Sequence, residues 1–339
     1  MDKKDIKNFT LGEFKRELER ISEPAYRAGQ IFTWIYKNGV EDFNAMNNLP
    51  NQLKDRLSRS YYIGAIKPLE RLKSIDGTEK FLFQLSDGNL IETVLIYSNR
   101  RKTACLSTQA GCKYACAFCA SGADGFKRNL SVSEILSQIL FLEHSLKHSV
   151  TNFVFMGMGE PLDNYENVSR AIRIMNSPEA MAIAARRITV STSGIVPGIE
   201  KFKELGLQIN LSVSLHAVNN ELRGRLMPVN KKYPLEKVLK ACEDYIDNGG
   251  RMLTLEYIVI KAVNDSREDI DGLAKIARRL KAKVNLIPYS PIPGLNFQAP
   301  LTKDVKIFED RLLKRGVSVT VRESKGKDIM AACGQLAAS

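Results

Sequence analysis

The sequence predicts an α/β protein built mainly from parallel strand–helix units, preceded by a small helical domain. From about Lys102 onwards, six segments rich in β-branched or aromatic residues alternate with helical segments, which is typical of parallel βαβ units. The 339 residues, 44% hydrophobic and 26% charged, suffice for one large α/β domain and an accessory domain. A partial barrel of six units and an open sheet both satisfy this pattern.

The first part of the chain, from residue 1 to about residue 75, is predicted to be helical. In TLGEFKRELERI (10–21) the apolar residues recur with a period close to 3.6. The same period occurs in 25–39, and a third helix is predicted within 49–62. We therefore expect residues 1–76 to form a helical accessory domain.

The next segment, EKFLFQLSDGNLIETVLIYSN (79–99), contains two alternating β-rich runs on either side of Asp87-Gly88. An Asp-Gly pair between two such runs is a strong hairpin signal. Residues 77–100 are accordingly predicted to form a β-hairpin extension, and residues 101–339 the main α/β domain.

Helical stretches separate the predicted strands of the main domain. One of them, 131–146, begins with a capping box formed by Ser131 and Glu134. An additional strand is predicted at 317–324. The six main strands are predicted at 103–108, 152–157, 187–192, 208–215, 253–260 and 283–289.

The charge balance points to a polyanionic partner. There are 50 Lys and Arg residues against 38 Asp and Glu residues, a formal net charge of +12. Nucleic acid is the commonest partner of such a protein, although a basic surface without that role satisfies the same count. No apolar run reaches the ~18 residues that span a bilayer, and the N-terminus has no apolar stretch of signal-peptide length. We therefore expect a cytoplasmic protein without membrane contact.

Polar, glycine-containing or cysteine-bearing stretches follow five of the predicted strands. Because the carboxyl ends of parallel strands lie at one edge of the sheet, we expect these stretches to form one site. Each alone is an ordinary turn, but five at the same edge favour a functional site. The stretches are the cysteine segment after TACLST, GMGEP, STSG, SLH and NLIPY.

The strongest motif is GCKYACAFCASG (111–122), in which Cys112, Cys116 and Cys119 have the spacing C-x3-C-x2-C. Three thiolates can hold three irons of a 4Fe–4S cluster and leave the fourth iron open to an added ligand. A zinc site instead needs a fourth ligand from elsewhere, such as His216. Six cysteines in a chain of this length, four of them between residues 105 and 119, indicate metal or redox chemistry rather than a disulfide scaffold.

The cysteine spacing after the first main strand resembles that of the radical S-adenosylmethionine (SAM) superfamily. The resemblance implies a partial parallel (β/α)6 barrel, and a 4Fe–4S cluster whose open iron binds SAM and reduces it to a 5′-deoxyadenosyl radical and methionine. The stretch MGMGEP (156–161) corresponds to the glycine-rich strand end that binds SAM. Glycine allows close backbone approach there, and the Glu160 carboxylate would accept the SAM ammonium group.

A narrower resemblance, to the RlmN branch of the RlmN/Cfr family of RNA methyltransferases, covers nearly the whole chain. It implies methylation of carbon 2 of an adenine in 23S rRNA and in tRNA. Pro161 and Pro288 favour the RlmN branch over the Cfr type, which methylates carbon 8. The motifs that carry the resemblance are CLSTQAGCKYACAFCASGADGFKRNL, FMGMGEPL, STSGIVPGI, SLHA, LMPVNKKYP, NLIPYSP and DIMAACGQL.

The same resemblance implies roles for residues outside the cysteine triplet. One SAM methylates Cys333, and a second SAM generates the radical that activates the S-methyl group for transfer to the base. Cys105 then forms a transient disulfide with Cys333, and Glu92 accepts a proton, a task suited to a carboxylate removed from water. Without the resemblance, Cys105 and Cys242 are packing residues, Cys333 is an inert thiol and Glu92 is a solvated surface residue.

Further residues and partners follow from the resemblance. A flavodoxin-like protein is the expected electron donor, and a monomer is expected. The basic runs at 99–103 and 127–130, together with the N-terminal domain, are candidates for RNA contact. The target base must leave its stack to reach a buried cofactor. The positions that match SAM-binding residues are Gly159, Glu160, Ser191, Ser214, Leu215, His216 and Asn285.

Two other functions are compatible with the sequence. The first is a Cfr-type adenine carbon-8 methyltransferase. The second is a metal-stabilised RNA-binding protein without catalytic activity. The nucleoside product separates the first from the RlmN type, and cleavage of SAM on reduction separates an enzyme from the second.

Overall fold

The computed structural model describes residues 3–99, 101–123 and 125–337. Its strands are β1 (Lys4–Asp5), β2 (Tyr61–Tyr62), β3 (Lys67–Lys73), β4 (Glu79–Gln84), β5 (Leu90–Ser98), β6 (Arg101–Cys105), β7 (Gln109–Gly111), β8 (Phe126–Asn129), β9 (Asn152–Phe155), β10 (Ile188–Thr192), β11 (Asn210–Ser214), β12 (Thr254–Val259), β13 (Lys283–Pro288) and β14 (Val319–Val321).

The α-helices are α1 (Leu11–Arg20), α2 (Arg27–Tyr36), α3 (Asn51–Ser60), α4 (Val132–Leu140), α5 (Tyr165–Asn176), α6 (Val196–Phe202), α7 (Asn220–Leu226), α8 (Leu235–Asp247), α9 (Arg267–Arg279) and α10 (Thr302–Lys314). Among residues 3–99, 101–123 and 125–337, no helix has both the length and the hydrophobicity of a membrane span.

One ten-stranded sheet organises the molecule, in the order β14-β13-β12-β11-β10-β9-β6-β5-β4-β3. From β6 to β14 every neighbouring pair is parallel, and the connections carry helices. The predicted α/β fold and its six strand–helix units are confirmed, and the predicted additional strand is present as β14. In parallel sheets the strand ends bring loops from distant parts of the chain to one edge.

The N-terminal helices are as predicted, and a capping box begins α1, where Thr10 and Glu13 bond each other's backbone amides. The prediction is wrong for the end of this region, because Lys67–Lys73 is a strand that pairs with β4. This edge strand is largely exposed and therefore lacks the alternating pattern of a half-buried strand. Its Pro68 is tolerated because only one side of an edge strand needs hydrogen-bond donors.

The predicted hairpin is confirmed as the antiparallel pair β4–β5. In the turn between them, Asp87 Oδ1 accepts a hydrogen bond from Asn89 N at 3.1 Å, and Gly88 has φ +85°. Strand β5 also pairs antiparallel with β6. The hairpin therefore extends the sheet at the strand that leads into the cysteine segment.

Two predictions about single elements are also confirmed. Helix α4 begins with the capping box of Ser131 and Glu134, and it continues as a π-helical turn over Phe141–Ser145. Cys242 on α8 is fully buried, as expected for a packing residue.

Candidate active site

The three cysteines of the triplet line one cavity, which we call the cluster cavity, at the carboxyl ends of the parallel strands. They lie in the loop that follows β7, where Cys119 N donates to Cys116 O at 3.0 Å. Burial raises the pKa of the Cys112 thiol to about 11 and raises the pKa of Cys116 and Cys119 as well. These thiols therefore need a nearby cation, such as iron, to ionise at neutral pH.

The donor set fits a 4Fe–4S cluster better than a single ion. Within residues 3–99, 101–123 and 125–337, no three His, Cys, Asp or Glu side chains are arranged to hold one metal ion. In a cubane cluster each thiolate binds a different iron, so the sulfurs lie further apart than around one ion. Three cysteines in one cavity satisfy three irons and leave the fourth to a ligand in the same cavity.

His216 does not support the zinc alternative. Its Nδ1 accepts a hydrogen bond from Ile258 N at 3.0 Å, so the neutral ring carries its proton on Nε2. Burial lowers the pKa of His216 to about 3, which keeps the ring neutral at pH 7. With one nitrogen bonded to the backbone and the other protonated, the ring serves as a hydrogen-bond donor to the cavity rather than as a metal ligand or a base.

Most of the predicted SAM-binding residues lie where the sequence placed them, around the cluster cavity. Gly159, Glu160, Ser191, Ser214 and His216 line this cavity.

Two of the predicted SAM-binding residues, Leu215 and Asn285, do not line the cluster cavity. Leu215 is fully buried in the core, and its N donates to Glu256 O at 3.0 Å. Asn285 Nδ2 donates to Glu256 Oε1 at 3.1 Å. Asn285 therefore reaches the cavity through Glu256, which itself lines it.

Glu160 is held by the backbone of two strand ends. One carboxylate oxygen accepts from Ser193 N at 2.6 Å and the other from Leu162 N at 2.9 Å. Burial is the largest influence on this carboxyl group and raises its pKa. Because each carboxylate oxygen has two lone pairs, an ammonium group can bind in addition to these amides.

Glu256 and Arg322 are cavity residues that the sequence analysis missed. Glu256 is 3% exposed, and its Oε2 has no hydrogen-bond partner among the residues that the structure describes. Arg322 lines the same cavity and donates from Nη1 to Met156 Sδ at 3.3 Å. Burial raises the pKa of Glu256, and the Arg322 cation opposes that effect. The sequence signal for Glu256 was its position as a single charged residue inside the apolar run 253–260. The same kind of signal singled out Glu92.

Cys333 lies between two cavities. It lines the cluster cavity and also a second cavity with Cys105, which we call the carrier cavity. Both cysteines are free thiols in the structure, so the disulfide between them stays a prediction. Burial raises the pKa of Cys105 to about 12, and this thiol is therefore protonated and unreactive at neutral pH in this state.

The segment that carries Cys333, which we call the carrier segment (330–337), is bonded to the loop that follows the cluster cysteines. Ala120 N donates to Gly334 O at 2.7 Å, and Ser121 Oγ donates to Leu336 O at 2.7 Å. These bonds fix Cys333 relative to Cys119.

Glu92 is buried, but it lines neither cavity. Its Oε1 lies 2.8 Å from Lys80 Nζ, and its Oε2 accepts from Ala337 N at 2.9 Å. Without the family resemblance, the sequence predicts that Glu92 is a solvated surface residue. The burial of Glu92 shows that this prediction is wrong. The structure brings Glu92 to the carrier segment rather than to the cysteines themselves.

The predicted RNA-contacting basic runs differ from each other. In the first, Arg100 lies outside the described residues and Arg101 is exposed. In the second, the Arg128 guanidinium is bonded to Asp87 and, at 2.8 Å, to Glu134. The charge of Arg128 is thus neutralised by the protein, which makes it a poor phosphate ligand.

Replacing Gly159 with alanine is expected to weaken SAM binding at least about tenfold. Gly159 has φ +92°, and an added Cβ would collide with Gln109 Cβ. Gln109 must move to relieve that contact, and Glu160 moves with it, because Gln109 Oε1 accepts from Glu160 N at 2.8 Å. A displaced Glu160 carboxylate bonds the SAM ammonium group less well, which costs on the order of tenfold or more in affinity. Calorimetric titration of the reconstituted protein with SAM measures the effect.

The matched control is Gly88→Ala, where φ is +85° and no atom lies within 4 Å of the added Cβ. It has the same backbone strain without the collision, and it is expected to bind SAM normally. Equal affinities for the Gly159→Ala variant and the unchanged protein would show that this strand end does not shape the SAM site.

Two family models match the chain. Residues 106–274 match the radical SAM superfamily. Residues 4–63 match the ribosomal RNA large subunit methyltransferase N-terminal domain. The first match contains the cysteine triplet and most strand ends of the cluster cavity, and the second contains the three N-terminal helices.

Full-length relatives give the same result. The chain is 43% identical over 334 residues to "Probable dual-specificity RNA methyltransferase RlmN" of Clostridium novyi (strain NT), covering 98% of this chain and 97% of the relative. It is 45% identical over 336 residues to the protein of the same name from Geobacillus kaustophilus (strain HTA426), covering 98% and 92%.

A solved structure of similar architecture is a radical SAM methyltransferase from Sphaerobacter thermophilus. The TM-score is 0.93 at 42% sequence identity, over 99% of this chain and 100% of that one. The similarity therefore includes the N-terminal helices, the hairpin and the parallel sheet together.

Proposed function

Because the chain belongs to the RlmN family of radical SAM RNA methyltransferases, we propose that it methylates carbon 2 of an adenine in 23S rRNA and in tRNA through Cys333. Members of the radical SAM superfamily bind a 4Fe–4S cluster and SAM, and so does this enzyme. We assign the cluster to Cys112, Cys116 and Cys119. Two SAM molecules are consumed per turnover, one to charge Cys333 and one for the radical step.

The observation that carries this proposal is the position of Cys333 on the wall shared by the cluster cavity and the carrier cavity. Cys333 shares the cluster cavity with the cluster thiols. It shares the carrier cavity with Cys105. A carrier that accepts a methyl group, delivers it and is then released by a second thiol needs both neighbours.

Bound together, the cluster and SAM supply a carbon-centred radical that can remove hydrogen from an unactivated methyl group. The residues of this chain hold and release the methyl carrier. Cys333 presents the methyl carbon to the base, which becomes covalently linked to the protein. The Cys105 thiol gives up its proton and attacks the Cys333 sulfur, so that the S–S bond forms while the bond between the Cys333 sulfur and the transferred carbon breaks. The carbon keeps the electron pair of that bond and takes a proton to become the methyl group.

Glu92 accepts the proton that the ring carbon must lose. The Glu92 carboxylate is bonded to Lys80 and to the carrier segment. The proton acceptor and the segment that carries Cys333 are therefore directly connected. Gly159, Glu160, Ser191, Ser214 and His216 are proposed to bind SAM from the strand ends, with Leu215 and Asn285 supporting them from behind.

The proposal extends to the organisation and partners of the chain. Residues 1–76 form an RNA-binding accessory domain whose helical part ends with α3, 77–100 form the hairpin extension, and 101–339 form the catalytic domain with the methyl-carrier segment. A flavodoxin-like protein supplies electrons, and the enzyme acts as a cytoplasmic monomer. The double substrate rests on the words "dual-specificity RNA methyltransferase" in the names of the relatives.

Anaerobic turnover tests the proposed reaction. Purified protein with reconstituted cluster, SAM and a reductant is incubated with unmodified 23S rRNA and, separately, with tRNA, and the nucleosides are separated by mass spectrometry. The expected product from both is 2-methyladenosine. 8-Methyladenosine would assign the chain to the Cfr type instead, and SAM cleavage without any methylated nucleoside would overturn the choice of substrate.

RNA binding is expected to weaken steeply with salt. The net charge of +12 favours phosphate contacts, and each contact adds about −0.7 to −0.9 to the slope of log K against log salt concentration. Filter binding or fluorescence anisotropy between low and physiological salt measures the slope. An affinity that stays constant over that range would refute RNA binding through the basic surface.

A further inference from the structure

A buried ion pair brackets Cys333. Lys80 Nζ lies 2.8 Å from Glu92 Oε1, and the two side chains are 11% and 7% exposed. The same ammonium donates to Met330 O at 3.3 Å, and Glu92 Oε2 accepts from Ala337 N at 2.9 Å. The cation thus holds the carrier segment three residues before Cys333, and the carboxylate holds it four residues after.

The sheet register places these groups on one face. Lys80 of β4 is opposite Val94 of β5, and Val94 is opposite Cys105 of β6. Residues directly opposite each other point to the same face, and Glu92 points there too, because it lies two residues from Val94. This face, with Cys105 and Val94, packs against Ala331 of the carrier segment.

Both charges depend on each other in this position. A carboxylate or ammonium removed from water is stable only when it is paired and its remaining hydrogen-bond capacity is used. Here each group uses part of that capacity on the backbone of the carrier segment. Loss of the Lys80 cation leaves Glu92 without its ionic partner and frees one end of the segment.

We propose that Lys80 is a positioning residue, which holds Glu92 and the two ends of the carrier segment in one fixed arrangement around Cys333. The proposal rests on the functions proposed above for Glu92 and Cys333. Lys80 itself does not line either cavity, so it acts through these groups. Lys80 keeps Cys333 and Glu92 aligned with each other during methyl transfer.

The test compares Lys80→Met, which keeps the length of the side chain without its charge, with Lys80→Arg, which keeps the charge. The matched control is Arg71→Met in the same hairpin, because Arg71 is the ionic partner of Glu79, another buried glutamate. Glu79 and Lys80 are adjacent, so their side chains point to opposite faces of the sheet. The control therefore removes the cationic partner of a buried glutamate on the opposite face, without touching the carrier segment.

Two quantities are measured in the reconstituted enzyme: the rate of 2-methyladenosine formation and the ratio of 5′-deoxyadenosine to methylated adenine. Lys80→Met is expected to lower the rate about 10- to 100-fold, less than the 10²–10⁴-fold contribution of a general base itself. SAM cleavage continues, so the ratio rises. Lys80→Arg is expected to stay within about threefold of the unchanged enzyme in both quantities, since a guanidinium can pair with the carboxylate and also bond a carbonyl.

A third readout does not depend on activity. Amide hydrogen exchange across the carrier segment is expected to be on the order of tenfold faster in Lys80→Met, because exchange reports local opening. Arg71→Met is expected to exchange there like the unchanged protein. This comparison also applies to protein prepared without cluster.

The proposal is overturned if Lys80→Met and Arg71→Met lose activity equally, if Lys80→Arg is as impaired as Lys80→Met, or if exchange in the carrier segment is unchanged in Lys80→Met. Failure of the proposed function has a different signature. In that case the unchanged enzyme makes no 2-methyladenosine, or Glu92→Gln and Cys333→Ala enzymes make it at a normal rate.

Discussion

Alanine in place of Cys112, Cys116 or Cys119 is expected to abolish the 4Fe–4S cluster and, with it, all reductive cleavage of SAM. Three thiolates are the minimum that holds the cluster while one iron stays open. The three cysteines share one cavity, and no other cysteine besides Cys333 lines it in the described part of the chain. Loss of one ligand leaves two, because Cys333 is held in the carrier segment by the bonds of that segment to Ala120 and Ser121. Iron and sulfide content, Mössbauer spectra and anaerobic 5′-deoxyadenosine formation report the outcome.

Cys242→Ala is the matched control for the ligand variants. Cys242 is fully buried on α8 and lines neither cavity. This variant is expected to keep the cluster and to cleave SAM at the normal rate. A Cys116→Ala protein that retained a complete 4Fe–4S cluster and cleaved SAM would contradict the ligand assignment.

The second large effect concerns the methyl carrier. Cys333→Ala is expected to keep the cluster and to cleave SAM without productive transfer, but to form no methyladenosine. The loss is expected to be complete because Cys119, the other cysteine that lines both cavities, is assigned to the cluster. Tandem mass spectrometry of the C-terminal peptide is expected to find Cys333 partly or fully S-methylated in the unchanged protein.

The Cys105→Ala variant tests the role of Cys105 separately from that of Cys333. If Cys105 releases the methylated base from Cys333, this variant is expected to accumulate RNA crosslinked to protein, which denaturing gels detect. A Cys333→Ala enzyme that methylated RNA at a normal rate would reduce Cys333 to a packing residue. A Cys105→Ala enzyme that turned over without crosslinks would remove Cys105 from the reaction.

Local patterns predicted most of the fold and much of the site. The cysteine spacing and the stretches at the strand ends were sufficient to place Cys112, Gly159, Ser191 and Ser214 around one cavity. Parallel strands bring such ends together whatever the helices between them contain. The exposed edge strand β3 was missed because it has no buried face to impose an alternating pattern.

Long-range contacts of the carrier segment could not be predicted in this way. Glu92 and Ala337 are 245 positions apart in the chain, and no periodicity within either segment indicates their contact. The Lys80–Glu92 pair depends on the register of β4 against β5, which the hairpin signal alone leaves undetermined by a residue or two. Glu256 was visible as a charge in an apolar run, but only the fold shows that it faces the cluster cavity.

The most direct test of the account is the origin of the transferred methyl group. Enzyme purified with an unlabelled methyl group on Cys333 is mixed in excess with RNA and with SAM that carries a trideuterated methyl group, and the adenine product of the first turnover is analysed by mass spectrometry. If Cys333 is the carrier, the first product contains no deuterium and labelled product forms only in later turnovers. A deuterated methyl group in the first product would show that the methyl group passes from SAM to RNA without Cys333.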